Sequence, residues 1–164
     1  MGAGKSTVAA LLAAQWGVAA RDTDADVETV AGKSVSDIFV EDGEERFRLL
    51  EEAAVATALA AHDGVLSLGG GAVLSDATRA LLADQPVVFL KVGLADAVKR
   101  VGLGTGRPLL LGNVRARIKA LLDERLPVYE SVARAIVDTD GRSPDDVAGE
   151  VMRVVAAWQA GRDE

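Results

Sequence analysis

The clearest chemistry in the chain lies in six consecutive residues, Gly2-Ala3-Gly4-Lys5-Ser6-Thr7. They match the last part of the pattern G-x-x-x-x-G-K-[ST], and an apolar run from Val8 to Trp16 follows. In such a loop, backbone N–H groups and a helix N-terminus cradle phosphate oxygens. The lysine neutralises β and γ charge, and the Ser6 hydroxyl is placed to ligate Mg²⁺. Met1 stands at the third position of the pattern, so its first glycine and the strand that should lead into the loop are missing from the sequence. Loss of a central strand predicts unpaired edges on its two neighbours. It also predicts either a chain begun too late, through a misassigned start codon or a truncation, or a short form with impaired nucleotide binding. The same opening residues fit the N-myristoylation pattern, which the phosphate loop explains better.

Other polar residues could serve the phosphoryl acceptor. Asp22-Thr23-Asp24 closes a strand, where one carboxylate can approach Mg²⁺ and the other a substrate hydroxyl; both acids also stand where a helix N-cap would. Arg48 and Glu51 sit three apart on a helix that buries Phe47 and Leu50, and alone they read as a surface ion pair. Together with Arg125, two guanidinium forks can hold a carboxylate. Gly69-Gly70-Gly71, directly after a strand, reads as a ligand-facing turn, and Gly102 to Pro108 as a mobile cover. An ordinary surface loop is the alternative for each.

These residues need elements to carry them. Short β-branched runs alternate with segments of helical period, the pattern of an α/β fold with a mostly parallel sheet. Strands are expected over 18–21, 65–68, 86–92 and 135–138. Helices are expected over 5–16, 25–31, 35–40, 43–61, 76–83, 94–101, 114–125 and 144–160. Ser34 with Asp37, Ser75, and Ser143 before Pro144 supply start signals. Eighteen Lys and Arg against 25 Asp and Glu leave a charge of −7 over 164 residues, which suits one acidic soluble domain. No basic cluster is present, so affinity for nucleic-acid backbones is not expected. Cysteine is absent and His62 is the single histidine, which excludes disulfides and thiolate or imidazole metal sites. Apolar stretches such as Pro86 to Leu90 fall far short of the roughly 20 residues of a spanning helix, and no charged segment precedes an apolar leader. A cytoplasmic protein without membrane contact is expected.

In order and approximate spacing, GAGKST, DTDADVE, GKSVSDIF with DGEERFRLLE, LSLGGGAV, RPLL, RLPVY and VDTDGRSP resemble the shikimate kinase family over nearly the whole chain. This family is a branch of the nucleoside monophosphate kinase-like P-loop proteins. The resemblance implies one domain over 1–164, with a substrate-binding region at about 24–62 and a lid at about 102–113. Its fold would be a three-layer α/β P-loop kinase with a parallel sheet of order 2-3-1-4-5, here without the first strand. The implied reaction is ATP-dependent phosphorylation of the shikimate 3-hydroxyl, in chorismate and aromatic amino-acid biosynthesis, with Mg²⁺ accompanying ATP.

Residue by residue, the resemblance implies that Gly2, Ala3, Gly4, Lys5, Ser6 and Thr7 hold the ATP phosphates. Ser6 would ligate the metal, and Asp22 would support it through water. Asp24 would meet the shikimate hydroxyls, as a base or by orientation alone. Arg48 and Arg125 would clamp the carboxylate, and the Gly70 and Gly71 amides would approach the ring. Arg107 would swing in with the lid over the transferring phosphate, forming with Lys5 and Asp24 the catalytic set. Arg100, Arg142 and Pro144 would border the adenine. Phe39, Phe47 and Glu51 look like pocket lining and orienting residues, with core packing equally open to both phenylalanines. By analogy the chain would be a monomer. Two competitors remain: a P-loop kinase for another small polyol acid or a nucleotide, and a non-catalytic form that binds shikimate but has lost ATP. DTD with FRLLE, GGG and RLPVY weighs against the first, and joint retention of Lys5, Ser6, Asp24 and Arg107 against the second.

Overall fold

Glycine, serine and aspartate set most element boundaries in the computed structural model, which describes residues 2–102 and 114–161. Helix α1, Lys5–Trp16, starts after Gly4 at φ 79° and stops at Gly17 at φ 67°, backbone conformations that cost glycine little. It buries Val8, Ala9, Leu12 and Ala13. After it come β1 (Ala20–Asp22), α2 (Thr23–Ala31), α3 (Val35–Glu41), α4 (Gly43–Ala61) and β2 (Val65–Ser67). A 3-10 turn (Ala72–Leu74), α5 (Asp76–Leu82), β3 (Val88–Lys91), α6 (Leu94–Gly102), α7 (Val114–Val132), β4 (Ala135–Asp138) and α8 (Pro144–Ala160) complete the order. The serine start signals act as caps: Ser34, Ser75 and Ser143 accept from the amides of Asp37, Thr78 and Asp146 at 3.1, 3.2 and 3.2 Å.

The four expected strands are all found: β4 has its expected bounds, β2 and β3 are trimmed, and β1 starts two residues late and runs one residue further, to Asp22. β1 runs parallel to β2, with Ala20 opposite Val65 and Asp22 opposite Ser67. β3 runs parallel to β4, with Val88 opposite Ala135 and Lys91 opposite Asp138. Among the described residues no strand joins β2 to β3. A cavity of about 380 Å³ is lined there by Leu66 and Leu68 of one pair, Val88 and Leu90 of the other, and Val8 and Leu12 of α1. Backbone groups alternate sides along a strand. The Val65 amide donates to the Ala19 carbonyl at 2.9 Å, so Leu66 presents its N–H and C=O away from β1. Likewise Thr139 donates to the Lys91 carbonyl at 2.9 Å, which turns the Leu90 groups away from β4. Among the described residues the facing edges of β2 and β3 are therefore unpaired.

Among the described residues, three apolar clusters hold the elements. Val8 and Leu12 meet Val137, Val147, Ala148 and Val151, which ties α1 to β4 and α8. Ala3 packs on Val92, Ala97 and Ile118, and Val27 on Ile38, Phe47 and Ala54.

Two helix boundaries differ from expectation by more than one residue. α2 starts two residues early because Asp22, still extended at φ −123°, accepts the Asp24 amide at 3.0 Å and caps the helix from the strand end. α7 does not stop at Arg125 but continues past Pro127 to Val132. A proline removes one amide and frees the carbonyl four residues back. Here that carbonyl belongs to exposed Asp123, and Pro127 itself is exposed, so water can replace the lost bond. The helix is pinned on both sides, by buried Ile118 before the proline and after it by Tyr129, whose ring stacks on Phe89 at 4.9 Å. The expected lid, including Arg107, lies outside the described residues except for Gly102, the last residue of α6. Among the described residues no helix is long and apolar enough to cross a membrane.

Candidate active site

At one end of the site, the phosphate-loop residues lead straight into α1. Gly2 and Gly4 take positive φ values of 70° and 79°, and Ala3 is buried against Val92, Ala97 and Ile118. Lys5 pairs with no carboxylate among the described residues. The Ser6 hydroxyl donates to Asp22 Oδ2 at 2.7 Å, which brings the helix start and the end of β1 together. Arg100 fixes the loop from behind: it donates to the Gly2 carbonyl at 3.0 Å and to the Thr139 carbonyl at 2.9 Å, and pairs with Asp96 at 3.1 Å. Arg142 holds the same connection, donating to the carbonyls of Asp138 and Asp146 at 3.0 Å each, just ahead of Pro144. Arg100, Arg142 and Pro144 therefore gather around the β4–α8 connection. Thr7, next along α1, is exposed.

At the other end, polar groups crowd the triple glycine. The Gly69 amide donates to the buried Thr23 hydroxyl at 3.0 Å. A Cβ on Gly69 would lie 2.5 Å from both Asp24 Oδ1 and Glu51 Oε1, and one on Gly71 would lie 2.0 Å from Arg48 Nη1. Only glycine leaves room for these side chains. The Gly70 carbonyl accepts from Arg125 Nη1 at 3.3 Å and from the Tyr129 hydroxyl. The Gly69 and Gly71 carbonyls accept from Ala72 and Leu74 at 3.1 and 2.9 Å. Arg79, from α5, clamps the far side of the turn by donating to the carbonyls of Val73 and Leu74 at 2.8 and 2.9 Å. The Gly70 and Gly71 amides meet no acceptor among the described residues. Backbone donors left open beside Asp24, Arg48, Glu51 and Arg125 form a site ready for a polar ligand.

The Arg48–Glu51 pair is not the surface contact that spacing alone suggests. Glu51 is 2 % exposed, and Arg48 Nη1 lies 2.6 Å from its carboxylate. Arg48 also pairs with Glu44 at 3.0 Å and lies 5.2 Å from the Phe47 ring centre and 5.9 Å from that of Phe39. The two rings are 4.5 Å apart, and Phe47 is buried in the core. Burial pushes the Glu51 carboxyl above the usual carboxylate range; Arg48 pulls it back, and nearby Asp24 adds to the rise. Desolvation works against the Arg48 charge, but its bonds to Glu51 and Glu44 more than offset this and hold it above its ordinary value. Arg125 Nε is buried with no partner, the condition of a donor that awaits an acceptor. Two side chains escape a sequence reading of the site. Thr23 hides between two acids of evident interest. Tyr129 shares a helix face with Arg125 at i, i+4 only if α7 passes through Pro127.

A glycine-flanked helix start, joined through Ser6 and Asp22 to a pocket with two arginines and open amides, is the arrangement expected of an enzyme that transfers a phosphoryl group to a small acidic acceptor. The comparisons agree. The family model "Shikimate kinase" matches residues 1–156. The chain is 61 % identical over 164 residues to a shikimate kinase of Saccharopolyspora erythraea, covering 99 % of this chain and 94 % of that one. It is 49 % identical over 152 residues to one of Mycobacterium bovis, covering 92 % and 86 %. The solved shikimate kinase of Acinetobacter baumannii in complex with shikimate superposes with a TM-score of 0.91 at 30 % identity, covering 96 % of this chain and 89 % of that one. The chain belongs to the shikimate kinase family. Its reaction is the ATP-dependent phosphorylation of shikimate in aromatic amino-acid biosynthesis, and its fold is the α/β fold of those structures.

Proposed function

We propose that the triple-glycine pocket is the shikimate site and that the site residues divide the work as follows. Arg48 and Arg125 clamp the carboxylate. The Gly70 and Gly71 amides meet the ring, and Asp24 orients the hydroxyl that attacks the γ-phosphate. The observation that carries this reading is convergence on one turn: Asp24 and Glu51 press on Gly69, Arg125 on Gly70 and Arg48 on Gly71. Gly2, Ala3, Gly4, Lys5, Ser6 and Thr7 hold the phosphates, and Arg100, Arg142 and Pro144 border the adenine. Arg107 covers the transferring phosphate. Phosphoryl transfer needs alignment and charge neutralisation more than covalent help, and these roles provide both.

The Ser6–Asp22 contact fits a magnesium ion carried by ATP, with Ser6 as direct ligand and Asp22 acting through water. Among the described residues no group of three or more acidic, His or Cys side chains could cage an ion, so phosphates and water would supply most ligands. When bound, Mg²⁺ neutralises charge on the β and γ oxygens. The two strand pairs fit as halves of one parallel sheet of order 2-3-1-4-5 in a three-layer, single-domain fold. The cavity between β2 and β3 then marks the place of the first strand. We also read the protein as a monomer that works in the cytoplasm, where ATP is at hand.

Steady-state kinetics of Asp24→Asn test the central role. Turnover should fall about 100-fold, the usual scale for a lost acid–base or orienting carboxylate. Near wild-type turnover would remove Asp24 from the mechanism. Arg107→Ala should lower turnover more than shikimate affinity, and the reverse pattern would contradict its place over the phosphate.

A further inference from the structure

We propose that Tyr129 is a positioning residue for the acceptor: its hydroxyl locks the Gly70–Gly71 peptide plane and so fixes the direction of the Gly71 N–H. The proposal rests on the pocket reading above. A trans peptide is planar, and the carbonyl of one residue points opposite to the amide of the next. Whatever holds the Gly70 oxygen therefore aims the Gly71 N–H. With glycine on both sides, steric resistance to rotating that plane is low. The other two carbonyls of the turn are tied by backbone bonds to Ala72 and Leu74. Among the described residues the Gly70 carbonyl has no such tie, and is held only by the α7 side chains Tyr129 and Arg125.

Of these two, Tyr129 is the fixed one. Its ring stacks on Phe89 with centres 4.9 Å apart and an interplanar angle of 28°, so packing against β3 sets the hydroxyl position. Arg125 reaches the same oxygen at the longer distance of 3.3 Å and keeps an unpartnered buried Nε. When Arg125 turns to a substrate carboxylate, Tyr129 alone keeps the plane from flipping. Pro127 does not break this arrangement, because the helix continues through it and leaves Arg125 and Tyr129 on one face.

Tyr129→Phe tests the proposal, since phenylalanine preserves the stack and removes only the donor. Two readouts are compared with wild type: the Gly71 amide, by ¹⁵N–¹H spectra without ligand, and steady-state kinetics with shikimate. The expected result is a Gly71 amide resonance shifted and broadened relative to wild type, as the released peptide plane samples more than one orientation. The shikimate KM should rise about tenfold, the equivalent of one hydrogen bond, with kcat within about twofold and an unchanged unfolding midpoint. An unchanged Gly71 amide, or a perturbed amide with an unchanged KM, would overturn it. So would a lower midpoint with normal KM, which marks a purely structural tyrosine. The amide comparison needs no substrate. Failure of the wild-type chain to act on shikimate would therefore sink the pocket reading, while the amide result would still decide the plane.

Discussion

The proposed acceptor pocket and the proposed phosphate loop are built to different standards of support. Around Gly69-Gly70-Gly71 each carbonyl has a donor, the Gly69 amide has Thr23, Arg48 and Glu51 hold one another, and Arg48 lies beside the Phe47 ring. The phosphate loop is held on one side by Arg100 and the packing of Ala3, while the helix behind it faces an apolar cavity of about 380 Å³ between two unpaired strand edges. A polar site can thus be complete while the sheet beside it is split. The acceptor turn takes its rigidity from α2, α4 and α7, whereas the phosphate loop depends on what fills the sheet.

The largest effect should come from filling that cavity. A chain extended ahead of Met1 by five apolar β-branched residues, then the loop's first glycine and one further residue, should bury those five side chains between β2 and β3. After the ordering cost this stabilises by about 3 kcal/mol, or roughly 10 °C in unfolding midpoint for a chain of this size. Thermal unfolding and shikimate-dependent ADP formation, run on both chains, check it. An equal midpoint would mean that the cavity is not a strand site, and the contrast between the two regions would fail.

Next in size is Gly71→Ala, where the new Cβ must displace the Arg48 guanidinium. The shikimate KM should rise roughly 10- to 100-fold, the scale of a charged hydrogen bond. Gly149→Ala is the control: it lies in α8 with open space where a Cβ would go, and should gain up to about 1 kcal/mol of stability with normal kinetics. Similar behaviour of the two variants would show that the Gly71 contact does not matter.

A smaller loss is expected for Thr23→Val, which leaves the Gly69 amide without its buried partner. Urea unfolding should show a cost of about 1–2 kcal/mol, and a neutral result would loosen the claim that the acceptor turn is fully braced.

The smallest effect concerns pH. Because the folded-state pKa of Glu51 is raised, the native chain binds more protons than the unfolded one between the two values. Stability contributed by this group therefore falls as pH rises through that window, which opens at the ordinary carboxylate value and extends upward from it. Glu51→Gln should abolish this part of the slope in urea titrations at stepped pH. An unaltered slope would show that burial does not govern Glu51.

Much of this was legible in the sequence, for reasons that differ by residue. Ser34, Ser75 and Ser143 could be placed because capping is a local rule, and the triple glycine because only a close approach of other groups requires three in a row. Pro127 misled, because local sterics argue for a stop there while contacts of Ile118 and Tyr129 decide for continuation. That boundary hid Tyr129. Spacing alone made Arg48 and Glu51 a surface pair, since burial depends on how α2 and α3 cover α4, and no local pattern reports that.

The most direct test of the pocket is a calorimetric titration of the wild-type chain with shikimate and with its methyl ester, without nucleotide. If Arg48 and Arg125 hold the carboxylate, the acid binds and the ester binds at least about 30-fold more weakly, the loss expected for a charge-assisted contact. Equal affinities for acid and ester would contradict the assignment of both arginines and of the triple-glycine pocket.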